Sequence, residues 1–116
     1  MDSGKVNKSF IERYEQVVGS YAEMYLSAHL VPVLAEKRAF GLRKYGEISF
    51  QSSKENAIKV NTIQHALEEL IDYMNYTLHE MYRHAELTPD EGLYAKAYSR
   101  LLLAQQLYEL TSREAL

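Results

Sequence analysis

A chain of 116 residues with a formal net charge of −3 and no cysteine has the size of a single domain, and it excludes disulfides, thiolate metal sites and cysteine nucleophiles. The weakly acidic balance also argues against duplex nucleic acid as a partner, because domains that bind it carry a clear basic excess. No apolar run approaches the roughly 20 residues needed to cross a bilayer, and Met1 to Lys5 lack an apolar signal core. The expectation is a soluble, cytoplasmic, single-domain protein without a membrane partner.

Two prolines and five glycines leave little punctuation, and the apolar residues recur with the helical period. From Ser9, the positions Phe10, Tyr14, Val17, Tyr21, Met24 and Ala28 form one stripe, with Ser9 and Glu12 resembling a capping box. Pro32 is expected to end this helix near Leu30. A shorter helix is predicted from Val33 to Lys44, aligning Leu34, Arg38, Leu42 and Tyr45, with Gly46 as its stop. Gly46 to Lys54 lacks periodicity and reads as an ordered loop of the kind that serves ligands.

A third helix is predicted from Glu55 to about Leu87 on the apolar set Val60, Ile63, Leu67, Leu70, Met74, Leu78, Met81 and Ala85. Thr88 as cap, Pro89 at the first helical position and Glu91 as capping-box acid then start a last helix through about Arg113. Its core face is expected to include Leu93, Ala97, Leu101, Ala104 and Leu107. The fold class predicted is all-α: an antiparallel bundle of three long helices and one short one, expected to form a homo-oligomer.

The charge pattern of the third helix points toward function. From Val60 to Tyr82 there is no lysine or arginine, yet Glu68, Glu69, Asp72 and Glu80 all fall there. Exposed helices normally alternate charge signs, so these carboxylates lack local partners. Asn61, His65, Glu68, Asp72, Asn75 and His79 share a stripe, flanked by Glu69 and Tyr76. Hard oxygen ligands at such spacing suit magnesium or manganese. Zinc fits less well, because His65 and His79 are too far apart to share an ion, and His79-Glu80 with His84 misses the zincin spacing by one residue. Two plainer readings stay open: a solvated polar face, or an interface in which a neighbour's arginines pair with the acids.

Arg38, Arg43 and Lys44 precede the loop, and Lys54 and Lys59 follow it. Basic groups bracketing a loop beside a metal-capable acidic helix would make a phosphate clamp. Tyr45 and Phe50 are candidates to stack on a base, and His65 and Asn75 to read its edge.

Glu69-Leu70-Ile71-Asp72, four residues before Tyr76, resembles the E-L-x-D signature of the all-α MazG-like nucleoside triphosphate pyrophosphohydrolases. Lys44-Tyr45-Gly46 with Ser49-Phe50 is similar to a "KYG…SF" segment of small phage-type members. The resemblance covers roughly residues 36 to 83. It implies a helical oligomer and magnesium-dependent cleavage of a nucleoside triphosphate to monophosphate and pyrophosphate. Glu69 and Asp72 would then be metal ligands and Glu68 a third ligand or a base. The family's earlier E-E-x-x-E motif has no counterpart, and Glu36 is the best-placed upstream acid; Glu12, Glu15 and Glu23 lie further back. Three functions follow as expectations: the metal-dependent hydrolase, a protein that binds a nucleotide in the same pocket without cleaving it, and a helical assembly protein.

Overall fold

The computed structural model describes residues 6–115 and contains five α-helices, four of them long, with no strand among those residues. Met1 to Lys5 lie outside the described residues. The chain divides into two compact units, Met1–Val60 and Asn61–Leu116.

In the first unit, α1 (Lys8–Tyr25) starts at Asn7, whose side chain accepts the Phe10 N–H at 3.0 Å. The cap is therefore Asn7, and Ser9 lies inside the first turn. The helix stops at Tyr25, earlier than expected, where Leu26 turns to extended backbone (φ −111°, ψ 159°). After a short turn, α2 spans Leu30–Tyr45. Pro32 sits in its first turn, where a missing N–H breaks no helical hydrogen bond. The proline thus helps to open α2; it does not close α1. Gly46 ends the helix with φ +51°, a conformation that a residue with a Cβ rarely adopts.

The segment after Gly46 is held by its own polar side chains. It makes a 3-10 turn (Gly46–Ile48) and then enters α3 (Lys54–Lys59), whose first turn is capped by the Ser53 hydroxyl accepting from the Asn56 N–H at 3.2 Å. Ser52 and Asn56 are 0% and 1% exposed. Such deep burial of polar groups demands partners: the Ser52 hydroxyl donates to the Ser49 carbonyl at 2.6 Å, and the Asn56 amide donates to Ser52 Oγ at 3.0 Å and to the Glu47 carbonyl. The Asn7 N–H donates to the Ser52 carbonyl at 2.9 Å, tying the start of α1 to this loop.

In the second unit the helix predicted from Glu55 to Leu87 is broken. Val60 is extended (φ −75°, ψ 135°), and Asn61 caps a new helix, α4 (Thr62–Tyr82), by accepting the Gln64 N–H at 3.0 Å. Asn61 therefore leaves the polar stripe and becomes a cap. A single π-turn (Arg83–Leu87) follows α4. The last helix, α5 (Glu91–Glu114), is capped by Asp90, whose carboxylate accepts the Leu93 N–H at 3.0 Å; Pro89 precedes the cap, and Thr88 is not the capping residue. The connection is closed by the Thr88 N–H donating to the Arg83 carbonyl at 2.8 Å and the Asp90 N–H to the His84 carbonyl at 2.9 Å.

So short a link turns α5 back along α4. The seam follows heptad spacing, with Leu67, Leu70, Met74, Thr77 and Met81 on α4 and Ala97, Leu101, Ala104, Tyr108 and Thr111 on α5, all buried or half-buried. Ala97 is fully buried and Ala104 nearly so, so small side chains lie where the helices approach most closely. Leu78, Leu93 and Leu107, expected in the core, are 49%, 43% and 50% exposed. The buried line runs one residue to the side, through Thr77 and Tyr108. Thr77 fits there because its hydroxyl donates to the Tyr73 carbonyl at 2.8 Å, which satisfies the polar atom within its own helix.

Candidate functional site

The acids singled out by charge pattern all lie on α4. Glu68, Glu69 and Asp72 are exposed. Glu68 approaches His65, with Nδ1 to Oε2 at 3.7 Å. Among the described residues neither Glu69 nor Asp72 enters an ion pair. Asn75 and Tyr76 are also exposed on α4, Tyr76 strongly so. Among the described residues, no three histidine, aspartate or glutamate side chains gather into a set that would hold a metal by themselves. Glu69 and Asp72, three residues apart on one helix, supply two oxygen donors. That donor set fits magnesium only when water and phosphate complete the shell, which is how the ion is commonly held.

Glu36 and the basic candidates belong to the first unit. Glu36 is exposed on α2. Arg43 and Lys44 lie in the last turn of α2, where the helix dipole favours cations, and Lys54 opens α3. Lys44 Nζ sits 5.4 Å from the ring centre of Tyr45 and 5.9 Å from that of Phe40, within cation–π range. Phe50 is partly exposed and meets Tyr14 edge-on, with ring centres 6.3 Å apart.

Arg38 behaves differently from the other basic residues. Its guanidinium donates to both Glu15 carboxylate oxygens, Nε to Oε1 at 2.7 Å and Nη2 to Oε2 at 3.2 Å. The Arg38 side chain is only 14% exposed. Its hydrogen bond to Glu15 raises its pKa further, against a smaller opposing effect of burial. Arg38 therefore bridges α1 and α2, with its charge already matched.

That bridge borders a cavity of about 190 Å³. Ile11 of α1 and Ala35, Ala39 and Leu42 of α2 supply apolar walls, while Tyr14, Gln51 and the Glu15–Arg38 pair supply polar ones. Gln51 is 4% exposed and its amide N–H donates to the Arg38 carbonyl. Its Oε1 is buried without a hydrogen-bond partner. Burial raises the Tyr14 pKa, as does nearby Glu15 to a smaller degree, while Arg38 works in the opposite sense.

Sequence reasoning passed over Glu15, Tyr14 and Gln51 as site residues. Glu15 pairs with a residue 23 positions away, so no local spacing marks it. Gln51 carried a usable signal, since a long polar side chain stands in a segment already read as an ordered loop. The chain matches no family model, and no curated protein or solved structure is similar to it.

Proposed function

We propose that the protein binds a nucleoside triphosphate as its magnesium or manganese complex and hydrolyses it to monophosphate and pyrophosphate, as the MazG-like resemblance implies. The observation that supports this most is the pair Glu69 and Asp72, exposed on α4 and free of ion pairs among the described residues. Two carboxylates are what magnesium commonly takes from a protein when phosphate oxygens bring the rest of its shell. The cation would supply charge neutralisation at the phosphates and acidify a bound water. In this reading Glu69 and Asp72 orient the bound complex, and Glu68, beside His65, accepts a proton from the attacking water. Arg38, committed to Glu15, is not retained as a phosphate-binding candidate.

A second reading, nucleotide binding without cleavage, is favoured by the absence of a three-membered metal-holding group among the described residues. Incubation with a panel of ribo- and deoxynucleoside triphosphates and magnesium separates the two. Release of monophosphate and pyrophosphate is expected, with Asp72→Ala lowering the rate by about 100-fold or more and leaving the melting temperature nearly unchanged. Full activity in Asp72→Ala would remove the assignment of this site. A melting shift with nucleotide but no product would select the binding reading.

The protein is also proposed to be a homo-oligomer. Tyr76, Leu103 and Leu110 on the α4–α5 hairpin are 72%, 65% and 59% exposed, and a two-helix hairpin buries only one stripe of each helix.

A further inference from the structure

Helix α5 carries two stripes of heptad spacing, and the hairpin with α4 uses one of them. Ala97, Leu101, Ala104, Tyr108 and Thr111 are buried or half-buried in the seam with α4. One position earlier run Lys96, Arg100, Leu103, Leu107, Leu110 and Glu114, spaced by four, three, four, three and four residues along an unbroken helix. All six are exposed, Leu103, Leu107 and Leu110 by 65%, 50% and 59%. Single exposed leucines are ordinary on a protein surface. Three at this spacing make the seam of a two-stranded coiled coil, in which each side chain enters a gap on a facing helix. The stripe is about 27 Å long at 1.5 Å per residue.

Its charges select both the occupant and its direction. The basic residues stand at the start of the stripe, the leucines in the middle and the acid at the end. Glu114 is the last residue of α5, where the helix dipole disfavours a carboxylate, so it is poorly placed for its own helix. A second copy of α5 laid antiparallel and centred between Leu103 and Leu107 sets Lys96 against Glu114 of the other copy, Arg100 against Leu110, and Leu103 against Leu107. Every position of the stripe then has a partner, and the arginine stem covers a leucine while its charged end reaches solvent. Sliding the second copy by one heptad would set Leu103 against Arg100 in one direction and against Glu114 in the other. A parallel copy would set Lys96 on Lys96 and Glu114 on Glu114, and like charges held together repel.

We propose that α5 pairs antiparallel with α5 of a second copy of this chain through this stripe, forming a two-stranded coil with α4 flanking it in each copy. The inference rests on the homo-oligomer proposed above; it names the surface and makes the contact two-fold and self-complementary.

Sedimentation of the full chain across a concentration series tests the pairing. The mass should rise from one chain toward two. Leu107→Glu should raise the dissociation constant about tenfold or more, because it places a carboxylate in the seam, while the helical circular dichroism is retained; Leu103→Glu should do the same and decides if the first variant does not fold. Lys96→Glu, which brings acid against Glu114, should weaken the dimer about threefold, and Lys96→Glu combined with Glu114→Lys should restore it. In a parallel coil each of these positions faces its own copy, so the combined change would rescue nothing. Failure of that rescue would overturn the antiparallel pairing. An oligomer whose affinity is unchanged in folded Leu103→Glu and Leu107→Glu would overturn the α5 assignment and leave the homo-oligomer to another face. A monomer at every concentration would overturn both, and the stripe would then belong to a different protein.

Discussion

Arg38 brings a permanent positive charge into the packing between two helices, and the surrounding residues respond to it. Glu15 meets it with both carboxylate oxygens, and the Gln51 side-chain amide donates to the Arg38 backbone carbonyl. Tyr14, next to the pair, shows the consequence of burial: its pKa lies above the ordinary tyrosine value of about 10, with desolvation as the main cause, Arg38 opposing it and Glu15 adding to it. The native state therefore holds the phenolic proton more tightly than the unfolded chain does. Below about pH 10 both states keep the proton and stability is unaffected; as pH rises from there toward the folded pKa, only the unfolded chain ionises and stability falls. Thermal melts across this alkaline range should show the wild type losing stability faster than Tyr14→Phe, and parallel decline in the two proteins would contradict it. None of this was legible in the sequence, where Arg38 read as a phosphate ligand. A pairing across two helices leaves no local spacing to detect.

At the level of elements, the helical period located the four long helices, although α2 was expected to be a short one, while the breaks between them depended on details that periodicity does not contain. Pro32 was read as a terminator because proline cannot continue a helix, but the same residue is tolerated in a first turn, and the chain uses it there. The apolar pattern ran without interruption through Val60, so it gave no sign that the backbone becomes extended at that point. Asn61 supplies the reason: its side chain replaces the helical partner of the Gln64 N–H. Asn61→Ala should cost about 1 kcal/mol, read as a lower urea midpoint with an unchanged denaturant slope. A loss of only a tenth or so of that amount would mean that the break is set by Val60 and its surroundings. The core stripe of α4 was legible to within one residue, and the error fell on Thr77 because a hydroxyl does not look like core until its bond to the Tyr73 carbonyl is seen.

For the whole molecule, the fold class was legible and the division of the chain was not. Composition and period led to an all-helical protein, and the described residues contain no strand. The division into two units falls at the unforeseen break between Val60 and Asn61, inside what read as one helix. Among the described residues few large apolar side chains are deeply buried, Leu67 being one at 6% exposure, and the proposal of a homo-oligomer rests on that shortage of core. If assembly supplies the missing burial, the melting temperature should rise with protein concentration and light scattering should give a mass above that of one chain. A monomeric mass with a concentration-independent melt would refute it. No helix among the described residues is long and apolar enough to cross a membrane.

The bond from the Asn7 N–H to the Ser52 carbonyl also bears on the order of folding. It closes a loop that spans nearly all of the first unit, whereas the α4–α5 hairpin is joined through a single short turn. Closure entropy grows with the length of chain enclosed, and local pairings form faster than distant ones. The half of the chain that leaves the ribosome first therefore faces the larger closure penalty, and the half that leaves last faces the smaller one.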